Sequence, residues 1–328
     1  MKMLSLKKGI LDYDFRRLLK GEITYNYELY EKFKILGVSY YFLPLSKTLL
    51  ENKTINNEYR LNLFKNILLL DLKNKLEILL KNNNINFIFY KGAFTTENVY
   101  DNIAQRHLSD IDLLVDENQL DKAKKLIDSE FKITKYKKDE SFYYNKYRFY
   151  ENEFLVKYKG YEISVDLHIG FIQKAKFNID YSVIFRENRI EHQIIAMIIQ
   201  VSNDYFINTE KKFLDLYLIF KRKNIDFNYL LSLITSFKIK KISYLTFYIL
   251  INELNLNKIP IDLINLETHE KLILKNMIMT NNFRVNQIFL FYYTFDEITD
   301  YKNFINDKLL KIRKNGIKEV TKSLKKIR

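Results

Sequence analysis

Asp110 and Asp112 stand two residues apart in SDIDLLVD, among Ile111, Leu113 and Val115. Residues two apart on an extended strand share a face, so the two carboxylates point one way and the three apolar side chains point the other, into a core. Like charges beside a core repel each other and lose water, and something must compensate them. YEISVDLHI alternates in the same way, with Ile163, Val165, Leu167 and Ile169 on one side and Ser164, Asp166 and His168 on the other. If the two strands are neighbours in one sheet, Asp166 joins the aspartate pair. Three carboxylates on one face need a cation between them, and Mg²⁺ prefers a few carboxylates together with water and substrate phosphates. Asp110, Asp112 and Asp166 are therefore candidate metal ligands for phosphoryl chemistry, in which two ions about 3.5–4 Å apart can clamp the attacking and leaving oxygens.

Upstream, FIFYKGAF ends a strand at Lys91 and Gly92. Glycine there lets backbone amides approach a phosphate, and Lys91 supplies a positive point charge. Arg106, four residues before Asp110, adds a forked phosphate contact; a surface ion pair of Lys91 or Arg106 with the same acidic cluster is the alternative. His168 shares the face of Asp166 and reads as a supporting residue, because hydroxyl attack assisted by a metal needs no histidine. His107 adjoins Arg106 with no clear role, and His192 and His269 fall in helical segments as ordinary polar positions. Asp215 interrupts the apolar face of KKFLDLYLIF and reads as a buried carboxylate paired with a lysine or a tyrosine hydroxyl; a place in the cleft wall is the alternative.

The elements that must position these groups follow from periodicity. Between Tyr25 and about Leu80 the apolar residues Leu61, Leu63, Phe64, Ile67, Leu68 and Leu72 recur at helical spacing, with breaks expected near Gly37 and Pro44. KNNN at 81–84 turns the chain into the strand INFIFYKG, residues 93–105 read as a short helix or loop, and Leu108 to Val115 is the next strand. Asp116 caps the helix that follows, whose face carries Leu120, Ala123, Leu126 and Ile127. From Phe131 to Ile169 two or three antiparallel strands are expected, and beyond Ile190 helical periodicity returns. These changes divide the chain into an N-terminal helical region (1–81), a core (82–175) and a C-terminal helical region (176–328).

The 328 residues suffice for a sizeable core, and the absence of cysteine excludes disulfides, thiolate metal sites and thiol nucleophiles. No secretory signal is read at the N-terminus, and IIAMIIQVSNDYF, the best apolar run, breaks at Asn203 and Asp204, so no integral membrane association and a cytoplasmic protein are expected. The net charge of +14 favours approach to polyanions, though abundant Lys, Asn, Ile, Tyr and Phe also fit an A+T-rich genome. Basic charge among Tyr and Phe in KYKKDESFYYNKYRFY suits RNA. The C-terminal run DKLLKIRKNGIKEVTKSLKKIR reads as a basic amphipathic helix that docks its apolar stripe and solvates its charge.

FIFYKGAF, QRHLSDIDLLVD and VDLH together resemble the Lys-Gly, Arg-x-x-Ser-Asp-x-Asp and Val-Asp-Leu-His blocks of a largely uncharacterised bacterial nucleotidyltransferase family in the polymerase-beta-like superfamily. The resemblance covers about residues 82–170. It implies an α/β (α+β) fold, a small mixed nucleotidyltransferase sheet flanked by helical regions. It also implies two ions, Mg²⁺ or Mn²⁺, held by Asp110 and Asp112, with Asp166 completing the inner site and helping to deprotonate or orient an acceptor hydroxyl. The reaction implied moves a nucleoside monophosphate from an NTP, with ATP among the candidates, to RNA, a small molecule or a protein, and releases pyrophosphate. Lys91, Gly92 and Arg106 would hold phosphates, with Ser109 and His168 in support. Ala93 departs from the Gly or Ser usual after the glycine, and Thr95 or Thr96 would have to supply the missing hydroxyl. A catalytically silent module of the same fold that binds RNA or a protein partner is the alternative.

Overall fold

The computed structural model describes residues 10–144, 147–171, 179, 181–187, 189–204, 206 and 209–279; for 137–144, 147–150 and 277–279 it describes the backbone alone. The chain opens with helices α1 (Tyr13–Leu19), α2 (Tyr27–Leu36), α3 (Ser39–Phe42), α4 (Lys47–Glu51) and the long α5 (Lys53–Asn82). Strand β1 (Phe87–Phe89), helix α6 (Lys91–Asn98), strand β2 (Asp110–Val115) and helix α7 (Leu120–Glu130) follow. Then come β3 (Ile133–Tyr144), β4 (Tyr147–Tyr158) and β5 (Tyr161–Ile169). Six helices complete the described chain: α8 (Tyr181–Arg186), α9 (Ile190–Asn203), α10 (Glu210–Arg222), α11 (Phe227–Ser236), α12 (Lys240–Leu254) and α13 (Thr268–Met279).

The breaks obey local chemistry. Gly37 ends α2 in a left-handed conformation (φ 73°), which a residue without Cβ adopts at least cost, and Pro44 lies in the short turn after α3. Asn52 starts α5 by accepting from the backbone N–H groups of Thr54 and Ile55. The strands form one mixed sheet in the order β1-β2-β5-β4-β3, with β2 and β5 parallel and the other neighbours antiparallel. The expected mixed α/β architecture is what forms, the sheet embedded between helices.

Strands β1 and β2 feed two cores by their pleat. Ile111, Leu113 and Val115 pack with Leu72, Leu76 and Leu80 of α5 beneath the sheet. Leu114 and Ile88, one residue out of phase, pack on the opposite side into a larger helical core. That second core is built from both flanks of the chain, with Phe15, Phe33 and Phe42 from the N-terminal helices and Ile195, Phe213 and Phe247 from the C-terminal ones. Each such fully buried side chain contributes about 1.5–3 kcal/mol relative to exposure. Among the described residues no helix is long and apolar enough to cross a membrane.

One face differs from the expected stripe. On α5, Leu68 and Leu72 are buried, but Leu61, Phe64 and Ile67 are exposed, and Asn62 and Asn66 take the buried places. The reason is the loop before β2. Asn62 donates to the carbonyls of Ala104 (2.8 Å) and Arg106 (3.1 Å), and Asn66 donates to those of Ile103 (2.5 Å) and Arg106 (2.7 Å). Buried loop carbonyls need donors, and a leucine offers none.

Candidate active site

Asp110 and Asp112 share the pleat of Leu114, so they face the helical core rather than α5. Strand β5 lies beside β2 with Asp110 opposite Ser164 and Asp112 opposite Asp166. The in-phase triad is thus brought onto one sheet face, as the alternation predicts. Two more acids arrive from β4, where Glu153 pairs with Asp166 and Glu151 with His168. The sequence reading did not single them out; their signal was the alternation of Glu151 and Glu153 along a strand that neighbours β5.

The ligand atoms of Asp112, Asp166 and His168 all lie within 4.8 Å of one another, a group able to hold a metal ion. His168, expected as support, is therefore a member of the cluster. Its Nε2 sits 3.3 Å from Asp112 Oδ1 without hydrogen-bond geometry, and both this nitrogen and Asp166 Oδ1 are buried with no hydrogen-bond partner among the described residues. Buried, unsatisfied acceptors facing one another fit a cation. Asp110 stands one position along β2, where Ser109 Oγ donates to its Oδ1 (2.9 Å).

The carboxylates differ electrically. Burial favours a proton on Asp112, but the Lys91 ammonium outweighs it and holds the pKa at about 2. Asp166 has no such cation in contact; burial, then Asp112, Asp110 and Glu153 push its pKa up to about 8. Asp110 is raised as well, by burial and then by Asp112. Burial also lowers the His168 pKa, which favours neutral imidazole with a free lone pair.

Lys91 occupies a left-handed backbone position (φ 54°), rare for a residue with a side chain and costing about 1–3 kcal/mol. That turn starts α6 and aims Nζ at Asp112 Oδ1, 2.5 Å away. Burial opposes its charge, but Asp112 prevails and the ammonium pKa is raised. Lys91 thus makes an ion pair within the acidic cluster, the alternative to a phosphate contact.

Arg106 pairs with an acid of α10, and Gly92 packs against it. The guanidinium is buried and forked onto Asp215, with Nε at 2.9 and 3.2 Å from the two carboxylate oxygens and Nη2 at 2.8 Å from Oδ2. Tyr100 donates its hydroxyl to Asp215 at 2.7 Å. Asp215 thus has the tyrosine partner expected of it, with an arginine in place of a lysine. Gly92 is buried in the first turn of α6, and a Cβ there would lie 2.5 Å from Arg106 Nη1 and 2.7 Å from Leu108 Cδ1. Its missing side chain makes room for the protein's own arginine. Thr95 donates to the carbonyl of Lys91 (3.0 Å), so that hydroxyl is engaged by α6 itself, while Thr96 is fully buried.

Two of the other histidines have partners elsewhere: His107 Nδ1 lies 3.1 Å from Asn62 Oδ1, and His192 Nε2 lies 2.8 Å from the Tyr229 hydroxyl. A cavity of about 220 Å³ opens beside the cluster, between Lys91 and His168 on the sheet side and Gln200, Asn203, Asp204 and Lys212 on the helical side. The aromatic and basic side chains at 137–150 and the C-terminal basic run lie outside the described residues.

The family model described as an uncharacterised nucleotidyltransferase matches residues 46–252, more than half of the chain. The chain belongs to this nucleotidyltransferase family. No curated protein and no solved structure matches it. The family match spans the later part of the N-terminal helical region, the whole sheet and the helices into α12, so the acidic face and the C-terminal part of its helical cover lie within it.

Proposed function

We propose that the chain is a metal-dependent nucleotidyltransferase of the polymerase-beta-like kind that moves a nucleoside monophosphate from an NTP to a hydroxyl acceptor. The observation that carries this reading is the convergence of Asp110, Asp112, Asp166 and His168 on one roofed sheet face in a member of a nucleotidyltransferase family. Residues 82–175 form the catalytic unit, and helices from both flanks form the other wall.

Asp112, Asp166 and His168, with Asp110 adjacent, would hold the divalent cations. Carboxylates suit Mg²⁺ or Mn²⁺, and the imidazole leans the set toward Mn²⁺. When bound, the cations neutralise charge on the triphosphate oxygens. In the reaction the acceptor oxygen forms a bond to the α-phosphorus, the bond from that phosphorus to the bridging oxygen breaks, and pyrophosphate leaves with its electron pair. Asp166 takes or orients the hydroxyl proton, its proton affinity being raised by burial and the neighbouring acids. Ser109 holds Asp110 in place, and the cavity beside Lys91 and His168 offers polar groups to a substrate.

The test is incubation of purified protein with each α-³²P-labelled NTP, Mg²⁺ or Mn²⁺ and a total cell extract, beside an Asp110→Asn/Asp112→Asn control. Label on an RNA, protein or small-molecule band with the wild type alone is expected and names the acceptor class. No label with any nucleotide, from folded protein that binds NTP, would replace this reading with the silent binding module.

A further inference from the structure

Both cations that the sequence offers for the phosphates are engaged by acids of the protein itself, Lys91 by Asp112 and Arg106 by Asp215. Lys212, which borders the cavity, contacts Asp204. Lys211 differs from all three. It lies in the first turn of α10, four residues before Asp215 and therefore on the same side of the helix. Among the described residues it has no hydrogen bond and no ion pair.

Its setting is built. The side chain runs against α2's terminal glycine, where a Cβ on Gly37 would lie 3.3 Å from Lys211 Cδ. The ammonium is partly desolvated and shares an electrostatic environment with Arg106, Asp215, Asp110 and Asp112. Burial, and then Arg106, lower its pKa to about 8, against the opposing pull of the three acids. A desolvated ammonium without a partner, next to carboxylates that hold cations, is suited to receive an anion.

We propose that Lys211 binds the terminal phosphates of the nucleoside triphosphate, the role that the sequence pattern assigns to Lys91 and Arg106. The inference rests on the nucleotidyltransferase reading and adds the residue that recognises a triphosphate as distinct from a monophosphate. Asp215 has a positioning part in it: its carboxylate is taken up by the fork of Arg106 and the Tyr100 hydroxyl and not by Lys211.

The experiment measures binding of inorganic tripolyphosphate, the four NTPs and the four NMPs, each with Mn²⁺, to wild type, Lys211→Met and Lys211→Arg, with melting temperature as the check on folding. Loss of one charged contact should weaken tripolyphosphate and NTP binding by about ten- to a hundredfold in Lys211→Met, with NMP binding unchanged and Lys211→Arg close to wild type. If folded Lys211→Met binds tripolyphosphate and NTP as wild type does, or loses NMP to the same extent, the assignment of Lys211 is wrong while the nucleotidyltransferase reading stands. If the wild type binds no NTP, that reading falls and the inference falls with it.

Discussion

Asp112 and Asp166 face each other at one register position, yet their proton affinities are driven in opposite directions, because only Asp112 has an ammonium in contact. The consequence is a dependence of stability on pH whose sign can be worked out. Without added metal the Asp166 carboxyl is protonated up to about pH 8 in the folded protein, whereas an unfolded aspartate loses its proton near about 4. Between those values the folded state holds the extra proton, so this contribution is full below about pH 4 and is lost as pH rises through about 8. Asp112 runs the other way, its contribution present above about pH 4 and lost as pH falls through about 2. Measured against Asp166→Asn with a chelator present, the melting temperature of the wild type should fall between about pH 5 and 8. An unchanged slope in the variant would remove Asp166 from the cluster. Cation binding needs the ionised carboxylate, so the rise in melting temperature caused by Mn²⁺ should grow across the same interval.

At the scale of elements, the acidic face owes its position to contacts that lie behind it. Arg106 and Asp215 tie the loop before β2 to α10, and Gly92 leaves the space through which the guanidinium passes. Arg106→Leu would strand a buried carboxylate and should cost about 3–5 kcal/mol. Gly92→Ala forces a methyl group into Arg106 and Leu108 and should cost about 1–3 kcal/mol. Urea unfolding midpoints measure both; a Gly92→Ala protein as stable as wild type would mean that the arginine can move aside freely. These contacts also mark where the sequence could be read and where it could not. The pleat of SDIDLLVD and YEISVDLHI made the triad legible, because alternation is a local property of a strand. That β4 would add Glu151 and Glu153, or that Asp215 would draw in Arg106, depends on which strand and which helix become neighbours. The same holds for α5, where the apolar spacing of Leu61, Phe64 and Ile67 signalled a helix correctly, while the face it buries was decided by carbonyls some forty residues away.

For the molecule as a whole, the roof of the acidic face joins the two flanks of the chain. Glu253 of α12 accepts from the backbone N–H groups of Ile10 (2.8 Å) and Leu11 (3.0 Å), just before α1. Glu253→Ala leaves two amides without their acceptor and should cost about 1–3 kcal/mol. Because the helical core and the face it covers are continuous, the loss should appear equally in the melting temperature with and without Mn²⁺. A variant that loses only the Mn²⁺-dependent increment would show that the roof and the sheet melt separately. The joining of the flanks also bears on when the protein becomes competent during its synthesis. Strands β1 to β5 are complete by Ile169, yet Ile88, Tyr90 and Leu114 bury in a core that α9, α10 and α12 complete only later. A chain still emerging from the ribosome carries the aspartates on an open, partly apolar sheet, unable to shut out water or fix a substrate. Competence therefore follows the making of α12, whose Glu253 binds the amides of Ile10 and Leu11.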